Sequence, residues 1–529
     1  MFKDLAASSF SRRRFLAAGG GVFATSLLAG VLTACSGGTT AQPTTAASQP
    51  TSAPAPTSAP AAAATAAPTA ASGTAAPTTA AGSPTAAAAA TTAPAATAST
   101  AASTAAASLK VAPGSTLTSW KNVWPELIKA YQTSHPNVNI SLDSTASGAN
   151  YDQKLFAEIA AGTLPDIIYT TDNYATPFKQ NKITQDMLPF AKQTNFPVDD
   201  FNKTFMNLGM VDGTLQMLPS SGDVVVLFIN KKLVQEAGVE IPWTVDYKNN
   251  KLWTTDDFYK VCQKLTVDIK GKRGDEPGFD KTNVSVYGAA MPIDWWAVYV
   301  PALISFGGQL VSDDLSKSML GSQAGVDAFT WLTKPVLDGY WAPYSYLTPF
   351  GPTTNAQATG AFNASKVAIT ATVRGGVPGI RPNIKDDWDV AHFYAGPSKR
   401  VTGMGTQGFA LSGATKQPDA AWAFLEFMYG EAGMKIITAS YGATPVEQRF
   451  YNASWWKGLP PPPANVDVFT QAFDYGTLPP RLPFYTTGPF TKALLDGLTA
   501  IELGQAKPQD VVTNVSNQLQ QWLDQNKKS

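Results

Sequence analysis

The side chains most used for covalent and metal chemistry are scarce in this chain. Its 529 residues include two cysteines, Cys35 and Cys262, and two histidines, His135 and His392. Structural zinc sites need three or four Cys or His ligands, and an activated nucleophile needs a base beside it. Neither Gly-x-Ser-x-Gly nor His-Glu-x-x-His occurs. Two acids, Asp172 and Asp223, could face each other as a glycosidase pair does, which leaves a secreted carbohydrate hydrolase or lyase as the one enzymatic alternative. Gly403-Met-Gly-Thr-Gln-Gly408 has the glycine spacing of a dinucleotide loop. It lacks the flanking strand, helix and later acid of that motif, so it reads as a hinge loop. The expectation is a protein that is not an enzyme and holds no metal or cofactor. The 39 basic and 39 acidic residues cancel, and nothing in the total charge points to nucleic acid.

The elements that must position any site begin well into the chain. Ser11-Arg-Arg-Arg-Phe-Leu16 opens a basic stretch followed by an apolar run over Phe15–Leu32, interrupted by Gly19-Gly-Gly21 and Gly30. That is short for a membrane span and reads as a signal peptide over 1–34. Its arginines resemble a twin-arginine export signal, with ordinary Sec export as the alternative. Leu32-Thr-Ala-Cys35 resembles a bacterial lipobox, which implies cleavage before Cys35 and lipidation of its sulfur. From Ser36 to Ser108 there is no charged or aromatic residue and no Val, Ile, Leu or Met. Such a segment cannot offset its chain entropy by burial and is expected to be a disordered linker. As a flexible coil it spans roughly 45 Å r.m.s.. With Cys35 it forms a tether over 35–108.

Residues 109–529 have the composition of a globular body. Trp124, Leu127, Ile128 and Tyr131 repeat at helical spacing, and Val138, Ile140 and Leu142 alternate as a strand. Tyr151, Leu155 and Ile159 form a helix that Gly162 closes. Pro165–Tyr169 and Val224–Ile229 read as buried strands. Thr254 with Asp257 forms a shortened capping box for a helix whose apolar stripe includes Cys262, a small core residue. Pro418 starts a helix through Trp422, and Val512, Val515, Leu519 and Trp522 mark the last. Alternating strands and helices predict an α/β fold with ligands beyond the carboxyl ends of the strands.

Several of these segments resemble the extracellular solute-binding proteins of ABC importers, in particular the sugar-binding group (family 1). They are Tyr151-Asp-Gln-Lys-Leu155 with Ala160–Tyr169, Leu227-Phe-Ile-Asn-Lys231 with Ala237-Gly238, Trp253–Phe258, Gly360–Ile369, and Gly408–Ser412 through Gly442-Ala-Thr-Pro445. Their order and spacing carry the resemblance over nearly all of 109–529. It implies a two-lobe periplasmic-binding-protein-like fold (type II), with the ligand in the interlobe cleft. Lobe one takes about 109–223 and 407–446, and lobe two about 224–406 and 447–529. It further implies hinge closure and docking on an ABC permease, by a monomer anchored to the membrane.

A sugar has apolar ring faces and a belt of hydroxyls, so its site needs flat aromatics and planar polar groups. On this resemblance the candidates are Trp120 after the first strand, Asp172 and Asn173 after the Ile-Ile-Tyr strand, and Asp223 before the crossover strand. Trp295, Trp296, Gln407 and Tyr441 complete the set with Arg374, which stands where the family often has Gly and Trp. Arg374 points to a polar or anionic ligand group, or else to an interlobe ion pair. A polyamine gripped by Asp172, Asp223 and the tryptophans is an alternative ligand. So is a metal held by Tyr344, Tyr346 and Tyr441. A purely structural surface protein is a further alternative.

Overall fold

The computed structural model describes residues 106–116, 120–143, 151–243, 245–441, 443–478 and 489–526, without the side chains of 152, 440, 441 and 489. All of them belong to one compact unit. The leader, Cys35 and the linker up to residue 105 lie outside the described residues.

The first lobe is built on β1 (Ala107–Ala112), β2 (Val138–Leu142), β3 (Ile167–Thr171), the short hairpin β4 (Met210–Val211) and β5 (Thr214–Leu215), and β6 (Leu218–Val224). The second uses β7 (Val226–Asn230), β8 (Val267–Asp268), β9 (Val284–Ala290), β10 (Val367–Thr372) and β11 (Trp388–Ala391). β12 (Thr402–Leu411) then returns to the first sheet, and β13 (Gly476–Thr477) pairs beside its start. The first sheet runs β13-β12-β3-β1-β2 with β6 also on β12, and the second runs β11-β7-β10-β9-β8. β1 is parallel to β2 and β3, whereas β12 is antiparallel to β3 and β6.

The helical periodicities are realised as α1 (Val123–Ser134), α2 (Tyr151–Ala161), α3 (Thr255–Leu265), α4 (Trp296–Ser305), α5 (Pro418–Tyr429), α6 (Glu431–Tyr441) and α7 (Pro508–Gln525). Gly162 closes α2 at φ +69°. Thr254 and Asp257 exchange both bonds of the capping box on α3. That helix buries Cys262, and the apolar surroundings push its thiol up to about 12. Every residue of β7, β10 and β11 is buried, as expected of strands covered on both faces.

Three sequence expectations change here. The linker does not reach Ser108: Ala107 and Ser108 already pair with Val138 and Asn139. Pairing with a neighbouring strand recruits residues that carry no apolar signal of their own. The apolar run 224–229 is not one strand. It breaks at Val225, where the chain leaves one sheet for the other. Gly403–Gly408 is not a loop but the middle of β12.

That break is where the lobes are joined. Val225 N–H donates to Gly403 O at 2.9 Å, and Thr402 Oγ1 donates to Val225 O at 2.6 Å. Met404 pairs with Val224. A third crossing follows α6, where Gly222 N–H donates to Thr444 O at 2.9 Å and Asn202 N–H to Val446 O at 2.8 Å.

Candidate ligand-binding site

β12 gathers the site because it lies between β3 and β6. Gln407 is opposite Thr171 on one side, and Gly405 is opposite Asp223 on the other. Asp172 follows the carboxyl end of β3, and a side-chain oxygen of it lies 3.6 Å from where a Gly405 Cβ would stand. The outer edge of the Trp296 ring is 3.9 Å from the same point. Four residues from four elements therefore meet over one bare peptide: Asp172, Asp223, Gly405 and Trp296.

The two acids influence each other. Desolvation is the main cause that pushes the Asp223 carboxyl up to about 6. Ser221 Oγ, donating to Asp223 Oδ1 at 2.8 Å, opposes the rise, and the Asp172 charge adds to it. Gln407 is half-buried on the same strand face as Gly405. Its Oε1 accepts from Tyr169 Oη at 2.6 Å, and that hydroxyl accepts from Ser115 Oγ at 2.8 Å. This chain of bonds fixes the amide's orientation. Trp296 opens α4 and is half-buried. Trp295 stands before it as N-cap, 6.4 Å between ring centroids and at 68°. Asn173 follows Asp172 and is exposed.

Two candidates fall elsewhere. Trp120 is fully buried in the lobe-one core, 5.6 Å from both Trp124 and Phe409 by ring centroids, and presents no face to a ligand. The turn after β1 folds it inward over α1, which adjacency to a strand end does not reveal. Arg374 is 2% exposed and meets neither a ligand surface nor, among the described residues, a carboxylate. Its guanidinium lies 4.5 Å over the Trp456 ring, and Nη1 donates to Ala443 O at 3.1 Å. Burial lowers its pKa to about 9. It ties β10 to the third crossing by stacking and a carbonyl bond instead of an ion pair. The side chain of Tyr441 lies outside the described residues.

The other tyrosines and the histidines singled out in the sequence are engaged in packing and hydrogen bonds. Tyr344 Oη donates to Asp294 Oδ1 at 3.0 Å, and Tyr346 packs edge-on to Tyr287 at 4.8 Å. Both serve lobe-two packing. Among the described residues no group of three or more His, Cys, Asp or Glu is placed to hold a metal ion. His135 stacks on Tyr131, and His392 bonds Tyr475 and Gln471, with burial lowering its pKa to about 4.

The sequence reading missed Gly405 and Tyr169. Gly403, Gly405 and Gln407 alternate at the two-residue period of a strand, a signal that was present but hidden by reading the glycines as a loop.

The family profile of the bacterial extracellular solute-binding protein matches residues 114–435. The chain belongs to this family. A Brucella abortus protein described only as a binding protein is 22% identical over 401 residues, covering 74% of this chain and 87% of that one. Among solved structures, the solute-binding protein is similar to an ABC substrate-binding protein of Listeria monocytogenes in complex with cycloalternan. The TM-score is 0.64 at 19% identity, over 79% of this chain and 99% of that one. A Mycobacterium tuberculosis protein in complex with glycerophosphocholine gives 0.62 at 16% identity, over 79% and 98%. A maltose-bound T. maritima protein gives 0.61 at 15%, over 79% and 100%. These likenesses establish the two-lobe solute-binding fold. Among the described residues no helix is long and apolar enough to cross a membrane.

Proposed function

We propose that this solute-binding protein captures a carbohydrate outside the cytoplasm and delivers it to the permease of an ABC importer. The observation that carries the reading is the convergence of Asp172, Asp223 and Trp296 on Gly405 at the interlobe crossing. Carboxylates accept hydrogen bonds from sugar hydroxyls, and an indole offers an apolar face to the ring. The cycloalternan- and maltose-bound relatives support this ligand class. Lobe one takes about 107–224 and 402–446, with lobe two formed by the remainder of the body. Asn173, Trp295 and Gln407 line the ligand's periphery. Cys35 carries the lipid, the leader 1–34 is removed, and the tether holds a monomeric receptor near its permease.

Isothermal titration with maltose, maltotriose, acarbose, spermidine and glycerophosphocholine tests the ligand class. Heat of binding with a sugar, reduced at least tenfold in affinity by Asp223→Asn, is expected. That loss is the order for a buried hydrogen bond to a charged group. The paired carboxylates favour one second reading, a cationic ligand such as a polyamine. Binding of spermidine with no response to any sugar would replace the first reading by the second.

A further inference from the structure

Three glycines punctuate β12 at 403, 405 and 408, and the packing accounts for two of them. A Cβ on Gly403 would stand 2.4 Å from Ala297 O, and one on Gly408 1.9 Å from Leu218 O. Both obstacles are backbone, so neither position admits a side chain without moving a neighbouring element. Gly405 is different. A Cβ there meets nothing nearer than Asp172 Oδ2 at 3.6 Å and the Trp296 ring at 3.9 Å, which are ordinary van der Waals distances. It is not among the glycines of positive φ. A glycine inside a strand costs roughly 0.5–1 kcal/mol relative to alanine. The fold therefore has no use for the missing side chain and is slightly weakened by it.

What the missing side chain leaves is an uncovered peptide between Asp172, Asp223 and Trp296. We propose that Gly405 is a specificity-determining position: its bare backbone is the floor on which a ligand ring lies, and any side chain there would take up ligand volume. This deepens the carbohydrate reading and rests on it. Asp223 stands on β6 and Asp172 just past the end of β3, and the indole edge closes the side toward lobe two. A ring seated on the peptide can thus reach both carboxylates with the indole edge beside it.

The test uses Gly405→Ala and Gly405→Val in the full chain, read by calorimetric titration with maltotriose and by thermal melting. Gly403→Ala serves as the packing control. One added methyl group in a fitted site changes affinity by ~10–200-fold. Gly405→Ala should bind maltotriose at least tenfold more weakly, and Gly405→Val more weakly still. Gly405→Ala should melt at or above the wild-type temperature, while Gly403→Ala should melt lower. Unchanged affinity in both Gly405 variants would overturn the inference. So would a fall in the melting temperature of Gly405→Ala matching that of Gly403→Ala, since the glycine would then serve packing. If wild type binds maltotriose and Asp223→Asn weakens it while Gly405→Val does not, the carbohydrate reading stands and this inference falls. A wild type that binds none of maltose, maltotriose and acarbose removes the reading and the inference with it.

Discussion

At the scale of the residue, the proposed contact of Asp223 with the ligand predicts that capture depends on pH. Its carboxyl, held near 6 by desolvation and the Asp172 charge, is ionised above that value. Only the ionised form offers both oxygens to hydroxyl donors. Affinity for a sugar should therefore decline as pH falls from 7.5 to 5. Asp172→Asn, which removes the neighbouring charge, should move the midpoint lower. A flat profile from titrations across this range would show that Asp223 does not touch the ligand. Glu447 acts on stability instead. It is fully buried on the third crossing, where burial pushes its carboxyl up to about 8; Arg449 opposes the rise and Asp200 adds to it. The folded state keeps this proton to higher pH than the unfolded chain. The stability it contributes is thus full below the unfolded carboxyl value and is lost as pH rises through about 8. Melting curves at pH 6 and 9 should show a fall that Glu447→Gln abolishes. His392 has the opposite sign: its depressed value costs stability as pH falls from about 6.5 toward 4.

At the scale of the element, β12 shows what local pattern conveys and what it does not. The helices were legible because their signals are local. The stripe Trp124, Leu127, Tyr131 lies within α1, and the Thr254 cap lies within four residues of Asp257. The separate roles of the β12 glycines are not legible, because Gly403 and Gly408 answer to Ala297 and Leu218, which are remote in sequence. Two glycines that exclude any side chain and one that leaves room look the same in a string of letters. Gly408→Ala should destabilise the protein by ~1–3 kcal/mol, the usual cost of forcing extra atoms into a packed interior. Chemical denaturation would register this as a lower midpoint. No loss of midpoint would mean that Leu218 yields, and that β6 is less firmly held than its pairing with β12 implies.

At the scale of the whole molecule, the order of segments told more than any single motif. Asp172 and Asp223, read from their places beside strands, lie together with Trp296 around Gly405. Trp120 and Arg374 occupy similar places, but tertiary packing turned both inward. The ends of the chain carry a separate prediction. Cys35→Ala should leave sugar binding unchanged and release the protein from membranes. Fractionation and incorporation of labelled palmitate would check this, and persistent membrane association of the variant would count against lipidation at Cys35.

β12 also belongs to the joint between the lobes, so the site floor and the hinge share one strand. In a hinge rotation, points near the axis travel least. Gly405 sits two residues from Gly403, whose carbonyl holds the crossing at Val225. If the lobes close by rotation about this joint, contacts made on this floor are nearly the same in open and closed forms. They retain the ligand without favouring closure, because only differential affinity shifts a conformational equilibrium. Energy for such a closure would then come from side chains farther out along the lever, where a small rotation changes a distance by ångströms.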